Sequence, residues 1–272
     1  MNITFIGGGN MARALIGRLI ARGHEARAMS VVEIDADARA SVAARFGVAA
    51  FGVLEEPAVA RADVVVVAVK PHHVRTVARV LAAYLQRQVV LTIAAGIRLS
   101  DLSRWLGGYR RLVRAMPNTP ALIGAGIAGL YALPGVDSEG RTRAAAVLDA
   151  VGATLWCERE EDLDAITGVS GSGPAYVFYF LEALDAAARE LGFTPAQARR
   201  LALATFSGAI RLAEQSESEP AVLRAQVTSK GGTTERAIAT MEAAAVRSAI
   251  LAAVKAAADR AREMGEQYGV EP

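Results

Sequence analysis

The chain has 272 residues, of which 53% are hydrophobic and 6% aromatic, and its 30 basic and 28 acidic residues leave a net charge of +2. This length suits one large domain or two of ordinary size. Because no basic stripe is visible, we expect no nucleic-acid partner. The strand-like apolar run Val64 to Val69 is far shorter than the roughly 20 residues of a bilayer span, and Arg247 and Lys255 interrupt the alanine-rich stretch 243–258. We therefore predict no membrane-spanning segment.

The start of the chain and its cysteine content indicate a compartment. No basic segment or apolar core typical of a signal peptide precedes the glycine cluster at Gly7, so we expect no secretory leader. Cys157 is the single cysteine, which excludes a disulfide framework and a cysteine-based zinc site. His72 and His73 are adjacent at a helix start and face different directions, so we predict no metal site. These features favour a cytoplasmic protein.

The first half of the chain alternates between strand and helix signals. Strands are predicted at 3–6, 28–34, 48–51, 63–69 and 89–94, and helices at 11–21, 35–46 and 74–84. Such alternation indicates parallel βαβ units. The near-continuous valine of 63–69 is typical of a central strand buried on both faces. The fold class is therefore α/β, with a Rossmann-type doubly wound parallel sheet assigned to residues 1–158.

From about Glu158 onward the strand signals disappear and helical periodicity takes over. Helices are predicted over 176–191, 195–214, 221–227 and 233–264, with a polar loop at 215–219. Thr194 precedes Pro195 and has the character of an N-cap. The second domain, residues 159–272, is predicted to be all-α. Its alanine-rich last helices favour close packing against a partner subunit, which predicts a homo-oligomer.

A glycine-rich turn follows the first predicted strand and opens the first predicted helix. It has the GxGxxA pattern, in which Gly7 permits the tight turn, Gly9 lets the backbone approach a pyrophosphate, and Ala12 keeps the helix close to the sheet. The helix N-terminus then offers unpaired N–H groups to the phosphates. The cofactor-binding candidates in this segment are Ile6, Gly7, Gly8, Gly9, Asn10 and Met11.

Glu33, at the end of the second strand, bears on the choice between NADH and NADPH. An acidic residue at this distance from the glycines usually binds the ribose hydroxyls and disfavours a 2′-phosphate. Arg39 follows a few residues later and could meet such a phosphate. The sequence therefore leaves both NADH and NADPH open as the cofactor.

Three further strand ends supply candidates, because ligands of open α/β sheets bind at the carboxyl ends of the strands. They are Ala68, Val69, Lys70 and Pro71 after the valine strand, Ala94 and Ala95 after the next strand, and Asn118 within Met116 to Pro120. The small and rigid residues of the last two segments leave room for a flat ring, although turn formation alone explains them equally well.

Two segments of the helical half carry small and hydroxyl-bearing residues. Ser170 to Tyr176 reads SGSGPAY and precedes a helix, and Val227 to Thr234 reads VTSKGGTT and lies between two helices. Exposed N–H groups and hydroxyls ahead of a helix suit a small carboxylate. A capped helix–helix linker is the alternative, but eight residues exceed what a cap requires.

Taken in order, these motifs resemble the pyrroline-5-carboxylate reductase family. The segments that carry the resemblance are GxGxxA at 7–12, AVKP at 68–71, MPNTP at 116–120, SGSGPAY at 170–176 and VTSKGGTT at 227–234. Many members have proline where this chain has Lys230. The resemblance implies reduction of (S)-1-pyrroline-5-carboxylate to L-proline by NADPH or NADH, a Rossmann domain, a helical dimerisation domain, and an active site completed across a dimer or larger homo-oligomer.

The resemblance also implies roles for individual residues. Ser229, Gly231, Gly232 and Thr233 would hold the substrate carboxylate, and Thr234 would hydrogen-bond the ring nitrogen as the catalytic residue. Glu161, in the acidic run 158–162, is a further substrate-binding candidate. The chemistry is consistent with this set, because a protonated imine accepts hydride without the histidine or lysine acid that a carbonyl needs.

Two other functions fit parts of the sequence. A β-hydroxyacid dehydrogenase would share the domain order, but it would carry a lysine on the helix after the glycine-rich segment, where this chain has Tyr176 to Phe180. A non-catalytic NAD(P)-sensing module would have no need of the loop 229–234.

Overall fold

The computed structural model describes residues 1–270, which form two compact units. The first unit contains residues 1–172 and the chain from Ala256 onward, and the second contains Gly173–Lys255. The last helix thus belongs to both units by its contacts. The domain boundary predicted from the sequence, between residues 1–158 and 159–272, stays a prediction.

The first unit is built on an eight-stranded sheet. Its strands are β1 Ile3–Ile6, β2 Met29–Val32, β3 Ala49–Phe51, β4 Val64–Val67, β5 Val89–Thr92, β6 Leu112–Pro117, β7 Gly126–Ala132 and β8 Gly152–Trp156. They lie in the order β3-β2-β1-β4-β5-β6-β7-β8, and every neighbouring pair is parallel except β6 with β7. The doubly wound parallel sheet is therefore confirmed, with an antiparallel pair added near one edge.

Helices cover both faces of this sheet. They are α1 Asn10–Ala21, α2 Ala36–Phe46, α3 Glu56–Val59, α4 Pro71–Leu81, α5 Leu99–Trp105, α6 Ser138–Asp149 and α7 Asp162–Ile166. The valine strand β4 explains the two cores, because Val64 and Val66 pack in one apolar cluster while Val65 and Val67 pack in the other. All four are at most 1% exposed, as a strand buried on both faces requires.

The second unit is helical. It contains α8 Gly173–Glu190, α9 Pro195–Glu214, α10 Pro220–Gln226, α11 Thr233–Ala243 and the first part of α12 Val246–Gly269. Thr194 accepts a hydrogen bond from the backbone of Gln197, whose side chain binds back to Thr194, so the predicted cap of α9 is confirmed as a capping box.

The single helix predicted over 233–264 is wrong. The chain breaks at Ala244 and Ala245, and α11 and α12 meet at a bend of 53°. Ala245 has φ +53°, a left-handed conformation that costs a residue with a Cβ about 1 kcal/mol. Because the segment contains no glycine or proline, its sequence gives no sign of the break. Arg247 of α12 pairs with Glu242 of α11 across the bend, and Glu242 also pairs with Arg224 of α10.

Among the described residues no single helix is long and apolar enough to cross a bilayer. The bent pair α11 and α12 meets that requirement only when the two helices are taken together, by length and composition.

Candidate active-site residues

The glycine-rich turn lies between the carboxyl ends of three neighbouring strands. Gly7 has φ +99° and donates its N–H to the carbonyl of Val32 at the end of β2. A Cβ on Gly7 would lie 2.8 Å from the carbonyl oxygen of Ala68, just beyond β4, so a larger residue does not fit. A Cβ on Gly9 would meet nothing within 4 Å. The turn is therefore closed toward the sheet and open on its outer side.

The open side of the turn fits the pyrophosphate of a dinucleotide. Gly9 is the N-cap of α1 and supplies no side-chain cap, and the first turn of the helix holds no acidic residue. The first N–H groups of a helix have no partner within it, and the helix dipole favours an anion there. Ala12 is 1% exposed and lies against the sheet. These residues would hold a phosphate group through backbone donors.

The strand order brings the other candidates to the same edge of the sheet. The chain runs from β1 outward to β3 on one side and from β4 outward on the other, so the switch point lies between β1 and β4. Ligands of doubly wound sheets bind outside the carboxyl ends of the strands at this point. The predicted cofactor residues at 6–11, 33, 68–71, 94–95 and 118 all lie at or just beyond carboxyl ends of β1, β2, β4, β5 and β6.

The Glu33 carboxylate is fixed by two backbone donors. Its Oε2 accepts from Gly8 N at 2.8 Å and its Oε1 accepts from Asp35 N at 3.0 Å. Arg39 does not pair with this carboxylate, because its Nη1 donates to the carbonyls of Glu33 and Ile34 at 2.9 and 3.3 Å. The Glu33 carboxylate thus lies against the glycine-rich turn, while Arg39 hydrogen-bonds the backbone that follows β2.

Lys70 is exposed and occupies the N-cap of α4, with Pro71 as the first residue of the helix. The His72 and His73 rings are tilted by 56° with centroids 4.1 Å apart. Within residues 1–270, no group of three or more His, Cys, Asp or Glu could hold a metal ion.

Asn118 is buried, and its side chain joins two backbone segments of the first unit. Its Oδ1 accepts from Ile127 N at 3.0 Å, at the start of β7, and its Nδ2 donates to the Ser170 carbonyl at 3.2 Å. Ser170 belongs to a π-helical turn, Thr167–Gly171, which follows α7 directly. Such turns are rare in proteins overall, and those that occur are often found at functional sites. The SGSGPAY segment is therefore tied to the end of β6 through Asn118.

A buried ionic network, which the sequence analysis missed, lies beside the β5–α5 connection. Arg114 in β6 is 2% exposed and pairs with Glu160 at 3.1 Å and Asp164 at 3.3 Å, and Asp164 also pairs with Arg98. Glu160 accepts from Leu99 N at 2.8 Å, at the start of α5. The network thus anchors the segment that follows Ala94 and Ala95. An arginine inside an apolar strand was the available signal, because a buried charge requires partners.

Glu161, the predicted substrate-binding acid, is exposed at the start of α7 in the first unit. Its neighbours Glu160 and Asp164 are the acids that the fold uses in the network. The role of Glu161 stays a prediction.

The loop predicted to bind a carboxylate joins α10 to α11 in the second unit. Thr228 caps the end of α10 by donating its hydroxyl to the Arg224 carbonyl at 2.6 Å. A turn then forms from Ser229, whose carbonyl accepts from Gly232 N at 3.0 Å, and Gly231 has φ +72°. Gly232 is the N-cap of α11 and supplies no side-chain cap. The loop therefore presents hydroxyls and first-turn N–H groups around one helix N-terminus.

Cys157 follows β8 and is half-buried. Burial, and secondly the nearby charge of Asp162, raise the pKa of its thiol above the usual range. The thiol therefore stays protonated near neutral pH and is a poor nucleophile.

A doubly wound sheet with an open glycine-rich turn at its switch point defines the class of dinucleotide-binding proteins. The model of the family described as NADP oxidoreductase, coenzyme F420-dependent, matches residues 2–96. The model of pyrroline-5-carboxylate reductase dimerisation matches residues 160–264. The first match covers strands β1 to β5 of the sheet, and the second covers the chain from α7 into α12.

Full-length relatives agree with these matches. The chain is 45% identical over 270 residues to a pyrroline-5-carboxylate reductase of Pseudomonas aeruginosa, with 98% of each chain covered. It is 36% identical over 267 residues to that of Arabidopsis thaliana, with 97% of this chain and 95% of the relative covered. The solved pyrroline-5-carboxylate reductase from Coxiella burnetii has a TM-score of 0.90 and 40% identity, covering 97% of this chain and 98% of its own. The chain therefore belongs to the pyrroline-5-carboxylate reductase family.

Proposed function

We propose that the chain reduces the C=N bond of (S)-1-pyrroline-5-carboxylate to L-proline with hydride from NADH or NADPH. The observation that carries the proposal is the hydroxyl- and glycine-rich loop 229–234 at the N-terminus of α11, in a member of this family that also has the open dinucleotide turn. A module that only sensed the cofactor would have no use for that loop.

The first unit supplies the cofactor-binding groups. The backbone of residues 7–11 holds the pyrophosphate, Glu33 takes the ribose hydroxyls, and the ends of β4, β5 and β6 line the nicotinamide side through residues 68–71, 94–95 and 118. When bound, NAD(P)H supplies a hydride for C2 of the pyrroline ring, the carbon of the C=N bond, and is oxidised. The family of reductases to which the chain belongs supports this assignment.

The second unit supplies the substrate-binding groups. Ser229, Gly231, Gly232 and Thr233 hold the carboxylate through hydroxyl and backbone donors, and Glu161 of the first unit is a further candidate. Thr234 hydrogen-bonds the ring nitrogen. The nitrogen of the protonated imine keeps its proton as C2 gains the hydride, so the product amine forms without an added acid. The protein is then required chiefly to orient the ring.

The apolar surface of the second unit supports self-association. Helix α8 has no fully buried residue in spite of its apolar sequence. Large apolar side chains are exposed on α8 and α9, among them Phe178, Tyr179, Phe180, Leu203, Ile210 and Leu212. Covering such a surface requires a partner, and the matching dimerisation model makes a second copy of this chain that partner. We propose a dimer as the basic assembly. The lone cysteine suits a reducing compartment such as the cytoplasm.

A substrate-dependent assay tests the proposed function. The purified chain is expected to oxidise NADH or NADPH, followed by the loss of absorbance of the reduced nicotinamide, only when pyrroline-5-carboxylate is added. L-Proline is expected as the product in equal amount. Activity with β-hydroxyacids and none with the imine would contradict the proposal. Cofactor binding without turnover would contradict it as well.

Glu33 makes a second prediction. We expect NADH to be used at least as efficiently as NADPH, because the fixed carboxylate would repel a 2′-phosphate and Arg39 is engaged with backbone carbonyls. Glu33→Gln should shift the ratio of kcat/KM values toward NADPH by about tenfold, the effect of about 1.4 kcal/mol. Glu25→Gln is the matched control, since that exposed glutamate precedes the opposite end of β2. An unshifted ratio in Glu33→Gln would remove the carboxylate from cofactor selection.

A further inference from the structure

Glu235 places a carboxylate of the chain itself in the loop that is proposed to bind the substrate carboxylate. Its Oε2 accepts from Gly231 N at 2.6 Å, a short, charge-assisted hydrogen bond. Gly231 is one of the residues that the proposed function assigns to the substrate carboxylate. In the structure, therefore, a donor of the proposed site is already bonded to an anion.

The position of this hydrogen bond differs from that of a helix cap. In a capping box, the third residue of a helix reaches back to the N–H of the N-cap. Here the N-cap is Gly232, and its N–H donates to the Ser229 carbonyl at 3.0 Å. Glu235, the third residue of α11, reaches one residue further, to Gly231. Its carboxylate thus lies at the loop and not at the first amide of the helix.

The N–H of the exposed residue Gly231 has the Glu235 carboxylate as its partner in the structure. Its φ of +72° turns the backbone into the left-handed region, and in this conformation its N–H points to the Glu235 side chain and not to a backbone carbonyl. An external carboxylate that takes this N–H must first displace Glu235. The two carboxylates then carry like charges close to one helix N-terminus, which adds repulsion.

We propose that Glu235 is an internal placeholder for the substrate carboxylate and that it lowers the affinity of the site for carboxylate-bearing imines. The proposal rests on the proposed function. The exchange replaces one carboxylate–amide hydrogen bond with another, so the loop keeps its satisfied geometry in both states. Part of the binding free energy of the substrate is spent on displacing the side chain, which sets KM above the value that the same loop would otherwise give.

Removal of the Glu235 side chain should strengthen substrate binding. Glu235→Ala is expected to lower KM for pyrroline-5-carboxylate about fivefold, the effect of about 1 kcal/mol, with kcat and the KM for the nicotinamide cofactor unchanged. Glu235→Gln keeps an oxygen that can accept from Gly231 but loses the charge, so its KM should lie between those of Ala and wild type. Glu217→Ala, at an exposed glutamate in the loop between α9 and α10, is the matched control.

A substrate without the carboxylate separates displacement from general effects. The kcat/KM for 1-pyrroline, which lacks the carboxylate, is expected to be the same in wild type and in Glu235→Ala. The placeholder role of Glu235 would be overturned if KM for pyrroline-5-carboxylate stayed unchanged or rose in Glu235→Ala. An equal gain in kcat/KM with 1-pyrroline would also overturn it. Both outcomes would leave the proposed function intact. A wild-type chain that does not reduce pyrroline-5-carboxylate would overturn both.

The Gly231 amide gives a readout that needs no turnover. In the free wild-type protein its ¹H–¹⁵N signal should be shifted downfield by the Glu235 carboxylate, and in free Glu235→Ala it should lose that shift. Saturation with L-proline, which carries the same carboxylate, should bring the two proteins to a common position. Signals that remain different at saturation would show that Glu235 and the ligand do not share this donor.

Discussion

Replacement of Thr234 by valine is expected to lower kcat for pyrroline-5-carboxylate reduction about 100-fold, the usual weight of a positioned polar group at the reacting atom. Valine has the same shape but offers no hydrogen bond, so the imine would lose both the orientation and the N–H partner that we propose Thr234 to supply. Thr234 lies in the first turn of α11, whereas the dinucleotide turn belongs to the first unit. The affinity for NADH or NADPH, measured by titration of the free enzyme, should therefore not change.

Thr240→Val is the matched control for this prediction. Thr240 lies on the same helix, is exposed, and donates its hydroxyl to the Arg236 carbonyl at 3.0 Å. Its replacement removes a threonine hydroxyl from α11 without touching the loop 229–234, so kcat should stay near the wild-type value. If Thr234→Val keeps full turnover, Thr234 has no part in the reaction.

Asp164→Asn is expected to give the largest loss of stability. The substitution removes the charge that pairs with both Arg98 and Arg114, and Arg114 is 2% exposed. Breaking a buried ion pair from one side typically costs about 3 to 5 kcal/mol, because the remaining charge stays buried without compensation. Because Arg114 keeps its pair with Glu160, we expect a loss at the lower end of this range, about 3 kcal/mol in the free energy of unfolding, measured from urea transitions of the two proteins at equal m-value.

Asp162→Asn, on the same helix, shows whether burial is the reason. Asp162 pairs with Arg159, which is exposed, at 2.6 Å. The hydrogen bond from the Arg159 side chain lowers the pKa of Asp162. Because solvent screens an exposed pair, Asp162→Asn should be much less destabilising than Asp164→Asn. Equal losses in the free energy of unfolding from the two substitutions would mean that the buried network around Arg114 stabilises the fold no more than an exposed ion pair does.

Much of the fold could be predicted because local patterns and tertiary structure agree over most of the chain. The alternation of strands and helices up to residue 94 corresponds to β1 to β5 with their helices, since each buried parallel strand requires an apolar run. Strands β7 and β8 were not predicted. In β7 the sequence is GIAGLYA, and its glycines and alanines have little strand propensity. Pairing with β6 and β8 compensates for that weakness.

The candidate site divides in the same way. The glycine turn and the strand ends could be predicted from the sequence, because positive φ and close backbone approach demand glycine at fixed spacing. The partners of Arg114 were not readable, since Glu160 and Asp164 are 46 and 50 residues away. The bond between Glu235 and Gly231 was missed for another reason. A glutamate in the first turn of a helix is ordinary in sequence, and only its rotamer decides which amide it meets.

The sequence by itself determined the doubly wound sheet, the dinucleotide turn, the helical second part and the family. Each of these depends on residue types at short, fixed separations, where backbone conformation and burial act locally. The tertiary structure alone decided the strand order beyond β5, the bend at Ala245, the ionic network around Arg114, and the occupation of the Gly231 amide by Glu235. These features depend on which distant groups the folded chain brings within hydrogen-bonding distance, and burial then makes an unpaired group too costly to leave.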